Sequence, residues 1–181
     1  MTPQTDISTA GGAGERPYVW TVEAGDVAAL AELQAACFSH DPSGAWGADY
    51  LGKLLTQRAF EAWLIAPLKA SDAPENPRPV GFLLMQHAGD VGDIASIGIL
   101  DAWRRRGLGE HLVVVAAAAA RATGADRLLL EVAEDNDAAR RFYESLGFDC
   151  VRVRRGYYER ADGQRINALV LQRPLSFTEI S

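Results

Sequence analysis

The chain has 181 residues, a formal net charge of −6 at pH 7, 48% hydrophobic residues and 23% charged residues. These values predict a single globular domain with a sizeable core. The net negative charge argues against binding of nucleic acid through the overall charge of the protein. No apolar run approaches the roughly 20 residues of a membrane span. We therefore expect neither nucleic acid nor a membrane as a partner.

The two ends of the chain differ in composition from its middle. Residues 1–16 are rich in Thr, Ser, Gly and Pro and lack the features of a signal peptide, so we predict a flexible N-terminal tail. A single domain is predicted over 17–175, with a C-terminal tail at 176–181. Cys37 and Cys150 belong to no CxxC pair, which predicts no metal or redox site and favours a cytoplasmic location. The sequence leaves the oligomeric state open.

Hydrophobic periodicity and turn residues define the elements of the first half of the chain. In order, the pattern predicts a strand at 18–23, a helix capped by Asp26, a loop at 40–47, a short helix at about 50–55, and strands at 59–66 and 80–87. The polar, proline-rich stretch 71–79 is predicted to join the last two strands as a hairpin loop.

The second half continues with alternating strands and helices. The pattern predicts a strand at 92–100, a helix at 107–123 ended by Gly124, a strand at 127–132, a helix at 137–146 ended by Gly147, and strands at 148–154 and 166–171. The order β-α-α-β-β-β-α-β-α-β-β predicts an α/β fold, with a mixed sheet of about seven strands flanked by four helices.

The segment RRRGLGEHL, at 104–112, lies between a predicted strand and a predicted helix. A tight glycine turn there presents backbone N–H groups without helical partners, and the helix dipole adds positive charge, which favours binding of a diphosphate. Gly107 and Gly109 allow close approach to the backbone. The third glycine of a dinucleotide-binding motif and the GK-Ser/Thr of a Walker A loop are absent. A solvated arginine cluster ahead of a helix is the competing interpretation.

The segment LLLEVAEDNDAARRFYESLGF, at 128–148, carries three polar candidates. Strand alternation places Glu131 on the face opposite its apolar neighbours, and a carboxylate in such a strand is costly unless it is partnered or useful. Asn136 is a suitable N-cap, and Tyr143 follows two helical turns later on the same face. The alternatives are a strand-end glutamate that reaches water and a core tyrosine with a satisfied hydroxyl.

Together the two segments resemble the GNAT superfamily of acetyl-CoA-dependent N-acetyltransferases. The resemblance rests on R-x-x-G-x-G after a strand, followed by N-x(6)-Y-E-S-L-G-F, and covers residues 18–174. LEVAEDN, FYESLGF and RRGYY are most similar to the RimI branch, the ribosomal protein alanine N-acetyltransferases. The resemblance implies direct acetyl transfer to the N-terminal α-amino group of a protein, such as a ribosomal protein, with acetyl-CoA as cosubstrate and no metal.

The resemblance also implies roles for individual residues. Glu131 matches the general base of the branch and Tyr143 its general acid. The residues implied to bind the cofactor are Ile97, Gly98, Ile99, Arg104, Arg105, Arg106, Gly107, Leu108, Gly109, Glu110 and Asn136. Gly98 is expected to leave room for the cofactor, and both cysteines are expected to be packing residues. The aromatic residues expected to line the acceptor groove are Trp46, Tyr157 and Tyr158.

The sequence departs from the branch at three places, two of them at the loop implied to bind the cofactor and the third in a loop implied to form a wall of the acceptor site. Leu100-Asp101 stands where the branch often has Asp-Pro, Glu110 replaces a common basic residue, and the loop at 39–46 is longer and different. Two other functions therefore stay open. One is a GNAT enzyme that acts on a small-molecule amine, and the other is a non-catalytic acyl-CoA-binding module.

Overall fold

The structure is a computed structural model, and it describes residues 15–39, 45–69, 77–160 and 163–175. Most of the predicted N-terminal tail, the C-terminal tail, and parts of the loops predicted at 40–47 and 71–79 lie outside the described residues. In the described part of the chain, no helix combines the length and apolar character needed to cross a membrane.

Seven strands and four helices follow each other in the predicted order. The strands are β1 (Glu15–Thr21), β2 (Phe60–Lys69), β3 (Gly81–Ala88), β4 (Val91–Ile99), β5 (Arg127–Ala133), β6 (Asp149–Glu159) and β7 (Arg165–Pro174). The helices are α1 (Val27–Cys37), α2 (Ala48–Leu55), α3 (Leu108–Ala122) and α4 (Asp137–Ser145). The predicted α/β fold with a mixed seven-stranded sheet and four helices is confirmed.

The sheet has the strand order β1-β2-β3-β4-β5-β7-β6. Every neighbouring pair is antiparallel except β4 and β5, which run parallel. This parallel pairing covers only Val91–Ile94 of β4 and Arg127–Leu130 of β5. Beyond it, β4 continues along β3 and β5 continues along β7. The sheet is therefore split between its fourth and fifth strands.

A β-bulge accompanies the split. Leu84 of β3 pairs with Ser96, whereas Met85 pairs with Ile94, so Ala95 is an extra residue in β4. A bulge bends the strand that carries it and increases the local twist. The bulge lies directly after Ile94, the last residue of β4 that pairs with β5.

Helices cover both faces of the sheet. Trp63 and Ile65 of β2 belong to a core with α3 and α4, whereas Leu64 between them belongs to a core with α1 and α2. Because successive strand residues point to opposite faces, the two helix pairs lie on opposite sides. The face of β5 that carries Leu128 and Leu130 belongs to the α3–α4 core.

Several predicted boundaries are wrong. The first strand begins at Glu15, inside the predicted tail, and ends at Thr21. Asp26 makes no side-chain cap to α1, and its carboxylate instead accepts a hydrogen bond from the backbone N–H of Glu23 at 3.0 Å. β6 extends to Glu159 because a long hairpin with β7 continues its pairing past a register shift.

Candidate active site

Glu131 lies at the apex of the split in the sheet. Leu130 is the last residue of β5 that pairs with β4, so Glu131 is the first residue beyond the separation. The buried and half-buried residues of β5 alternate, which confirms that Glu131 lies on the face opposite Leu128, Leu130 and Val132. The carboxylate is therefore half-buried at the narrow end of a cleft between two strands.

The end of β4 forms one wall of this cleft. Ile97, Gly98 and Ile99 pair with β3 on one side and have no β5 partner on the other. In an antiparallel pair, alternate residues direct their N–H and C=O groups away from the partner strand. The β4 edge thus offers backbone N–H and C=O groups with which an extended ligand can pair, as another strand would.

Gly98 is required for a reason other than the expected one. A Cβ at Gly98 would lie 2.6 Å from a ring carbon of Phe82 and 3.0 Å from the sulfur of Cys37. The space on the Cβ side of Gly98 is therefore filled by the packing of α1 on the sheet, and this packing requires glycine here. Burial raises the pKa of the Cys37 thiol to about 11, whereas Cys150 is exposed and is not a packing residue.

The N-terminus of α3 lies after the end of β4, where the sequence predicts an anion site. Gly107 is the N-cap and has φ +78°, a left-handed conformation that favours glycine. The first backbone bond of the helix is donated by His111 N to Gly107 O at 3.1 Å. The amides of Leu108, Gly109 and Glu110 precede it and have no helical acceptor. Gly109 also permits packing on α4, since its Cβ would lie 3.1 Å from Phe142.

The three arginines of the loop have different environments. Arg104 donates from Nε to the carbonyl oxygen of Ile99 at 3.1 Å and pairs with Asp101 at 2.8 Å. Arg106 stacks on Trp103 at 4.6 Å from the ring centroid. Arg105 is exposed and has φ +59°, so the turn contains two left-handed residues within three positions. Arg104 thus ties the end of β4 to the turn, which makes it part of the scaffold of the loop.

The carboxylate of Glu131 is paired with a guanidinium. Arg154 of β6 donates from Nη1 to Glu131 Oε1 at 2.5 Å, and its guanidinium carbon lies 3.9 Å from the centroid of the Tyr157 ring. Asp93 of β4 also faces this group, and burial together with the negative charge of Glu131 raises the pKa of Asp93. A cluster of charged and aromatic side chains therefore surrounds the apex of the cleft.

Tyr158 adjoins this cluster from β6, whereas Tyr143 lies in the α3–α4 core on the opposite face of β5. Tyr143 of α4 is 7% exposed and packs against Phe142 and Phe148, with ring centroids 5.1 Å and 5.6 Å away. Burial raises the pKa of the Tyr143 phenol well above its ordinary value, and the Tyr158 phenol adds to this effect. Burial and the charge of Glu131 likewise raise the pKa of Tyr158. Both phenols therefore carry their protons at neutral pH.

The remaining predicted residues lie on separate elements. Asn136 caps α4, because its Oδ1 accepts a hydrogen bond from Ala139 N at 3.1 Å, as predicted from the sequence. Trp46 is half-buried before α2, and its backbone N–H donates to Oε1 of the buried Gln34 at 2.8 Å. Tyr157 and Tyr158 lie in β6, which extends beyond the strand predicted at 148–154.

Asn167 of β7 is a residue that the sequence analysis missed. Its Oδ1 accepts a hydrogen bond from Gly156 N at 2.9 Å, and its Nδ2 donates to Glu134 at 2.8 Å. Gly156 has φ +58° within the register shift between Arg154 and Tyr158. Asn167 therefore fixes the irregular backbone that carries the aromatic residues. No local motif marks it, because its partners depend on the pairing of distant segments.

The residues brought together can serve acyl transfer. The split offers a strand edge without a β5 partner, a carboxylate at the apex and the protonated phenol of Tyr158 near it, and a helix N-terminus that favours anions follows the end of β4. Among the described residues, no group of three or more His, Cys, Asp or Glu side chains is arranged to hold a metal ion.

The model of the acetyltransferase (GNAT) family matches residues 27–148, and the chain belongs to this family. It is an N-acetyltransferase dependent on acetyl-CoA.

Relatives agree with this assignment, and a solved structure shares the fold. The [Ribosomal protein bS18]-alanine N-acetyltransferase of Haemophilus influenzae is 35% identical over 97 residues, which are 54% of this chain and 66% of that protein. Mycothiol acetyltransferase of Gordonia bronchialis is 33% identical over 127 residues, 68% of this chain and 40% of that protein. The crystal structure of the ribosomal-protein-S18-alanine N-acetyltransferase from Escherichia coli has a TM-score of 0.73 and 23% identity, covering 92% of this chain and 98% of that chain.

Proposed function

We propose that the protein transfers the acetyl group of acetyl-CoA to the N-terminal α-amino group of a protein, as in the ribosomal-protein-alanine class. The observation that carries the proposal is the placement of Glu131 at the apex of the split sheet, within electrostatic reach of Tyr158. Tyr158 in turn lies within electrostatic reach of Tyr143. The similarity to bS18-alanine N-acetyltransferases supports the acceptor class.

The proposed reaction needs one base and one acid. Glu131 accepts a proton from the acceptor amine, directly or through water, as the neutral nitrogen attacks the thioester carbonyl. A C–N bond forms, the C–S bond breaks, and Tyr143 gives its proton to the departing thiolate. The raised pKa of Tyr143 means that the phenol is protonated at neutral pH and has a proton to give.

The proposed cofactor contacts follow the cleft from its mouth to its apex. The amides of residues 105–110 bind the diphosphate at the N-terminus of α3, where the helix dipole and the N–H groups of the first helical turn favour negative charge. The edge of Ile97–Ile99 that has no β5 partner pairs with the pantetheine arm, and one of its N–H groups polarises the thioester carbonyl. Asn136 is expected to contribute a further polar contact.

The proposed acceptor groove uses the aromatic residues on either side of the apex. Trp46 contacts Tyr50 edge-on at a centroid distance of 5.6 Å, and Tyr157 contacts Tyr158 at 5.1 Å. Such residues supply rigid walls with polar tips for a peptide backbone. The net charge of −6 favours a basic acceptor protein.

The test is an acetylation screen with peptides that have free or blocked N-termini, in which mass spectrometry locates the acetyl group. We expect transfer to the free N-terminus and little transfer to lysine side chains of blocked peptides. Equal acetylation of blocked, lysine-containing peptides would refute the N-terminal assignment.

A small-molecule amine is the second candidate acceptor. The similarity to a mycothiol acetyltransferase over 68% of this chain favours it. The same assay discriminates the two, because a small amine that outcompetes every peptide would establish this alternative. The third possibility, a non-catalytic module, is contradicted by membership of an acetyltransferase family.

A further inference from the structure

Arg154 is the charged side chain in direct contact with Glu131, and no role was assigned to it from the sequence. Its Nη1 lies 2.5 Å from Glu131 Oε1, and its guanidinium stacks on Tyr157 at 3.9 Å. The side chains of Arg154 and Glu131 are 44% and 30% exposed. A charge-assisted hydrogen bond and a cation–π contact therefore hold the guanidinium in one place.

This guanidinium is a permanent cation. Arginine keeps its charge at every accessible pH, and the hydrogen bond to Glu131 raises the pKa of Arg154 further. The Glu131 carboxylate and the Tyr157 ring together form a site that can bind a cation. The guanidinium of Arg154 occupies this site. A second cation at the same carboxylate meets a like charge and is disfavoured.

The other ionisable groups around Glu131 do not replace this charge. Asp93 faces it from β4 and Tyr158 from β6, and neither side chain is cationic in any protonation state. Arg154 is therefore the positive charge in contact with the carboxylate at the apex of the cleft.

We propose that Arg154 makes the acceptor subsite beside Glu131 selective for the neutral amine and excludes permanently cationic groups. The proposal rests on the proposed function, which brings the acceptor nitrogen to Glu131. At pH 7 roughly one in ten terminal α-amines is neutral, against roughly one in two thousand lysine side chains. The exclusion of ammonium groups therefore admits terminal α-amines far more readily than lysines. Arg154 is thus a residue that determines specificity by repelling acceptor groups that carry a positive charge.

The experiment compares two peptides of one sequence, with a free N-terminus and with an N-terminal trimethylammonium group. The inhibition constant of the trimethylated peptide is measured for the wild type, Arg154→Gln, Arg154→Met, Arg154→Lys and the control Arg152→Gln. Arg152 is an exposed arginine of the same strand and carries the same charge. Thermal unfolding of each variant confirms that it is folded. Arg154→Met replaces Arg154→Gln in the comparison if Arg154→Gln does not fold.

We expect the neutral variants at Arg154 to lower the inhibition constant about fivefold to tenfold, which is the effect of one charge at roughly 5 Å in a wet site. KM and kcat for the free peptide should fall together, because the ammonium form then binds unproductively. Arg154→Lys and Arg152→Gln should keep the wild-type inhibition constant.

An unchanged inhibition constant in both neutral variants at Arg154 would overturn the proposal, as would an equal effect of Arg152→Gln. Failure of the proposed function is recognised separately, since it appears as absent N-terminal acetylation by the wild type. In that event the small amine that is acetylated and its quaternary analogue replace the two peptides, and the same comparison between variants decides the role of Arg154.

Discussion

The left-handed turn at the start of α3 allows the anion site to be tested with a matched pair of glycines. Gly107 has φ +78° and Gly124 has φ +88°, and they flank the same helix at its two ends. A Cβ at Gly107 would approach only His111, at 4.0 Å, and a Cβ at Gly124 would meet nothing within 4 Å. Substitution by alanine therefore introduces backbone strain at both places and a steric collision at neither.

The magnitude follows from this geometry. Left-handed backbone costs a non-glycine residue about 1–2 kcal/mol, and alanine recovers roughly 0.4–1 kcal/mol through the unfolded chain. We expect each variant to lower the free energy of unfolding by about 1 kcal/mol. The strained turn of Gly107→Ala relaxes to negative φ, and the backbone amides of the turn then no longer converge. Acetyl-CoA must restore the left-handed conformation when it binds, and this cost lowers its affinity by about fivefold or more.

The assay combines urea unfolding with calorimetric titration of acetyl-CoA for both variants and for Arg104→Gln. Gly124→Ala should lose stability and keep its affinity, and Arg104→Gln should weaken binding only modestly. The reasoning is refuted if Gly107→Ala binds acetyl-CoA as tightly as the wild type, or if Arg104→Gln has the larger effect. The second result would favour a basic patch over a backbone cradle.

Three further predictions concern the apex and its support. Glu131→Gln and Tyr143→Phe should each lower kcat at least tenfold and leave the dissociation constant of acetyl-CoA nearly unchanged, and normal turnover would exclude these roles. Asn167→Ala should cost about 1–3 kcal/mol in urea unfolding and raise the acceptor KM more than Asn167→Asp, which keeps an oxygen for Gly156 N. The raised pKa of Asp93 means that the folded state holds its proton more tightly, so stability falls as pH rises above the ordinary value of 3.8. Asp93→Asn should therefore raise the unfolding midpoint at pH 7 but not near pH 3.8, and a gain of equal size at both would contradict the assignment.

Local sequence determined the elements and the chemical types at the site. Alternation in RLLLEVA places Glu131 opposite the buried residues of β5, because side chains of a strand alternate whatever the strand pairs with. The turn at Gly107 and the cap at Asn136 follow from short-range backbone requirements, and the structure has both. These features involve residues within one or two turns of each other, so the sequence alone suffices.

Only the tertiary structure decided what surrounds Glu131. The split between β4 and β5 depends on a bulge and on the end of a four-residue pairing, which have no local signature. Arg154 reaches Glu131 across the intervening strand β7, and Asn167 reaches Gly156 within a register shift. A side chain at Gly98 is likewise excluded by Cys37 of α1 and Phe82 of β3, which pack beside it. Contacts of this kind arise from the register of distant segments, because pairing energy is shared along whole strands and no single residue encodes it.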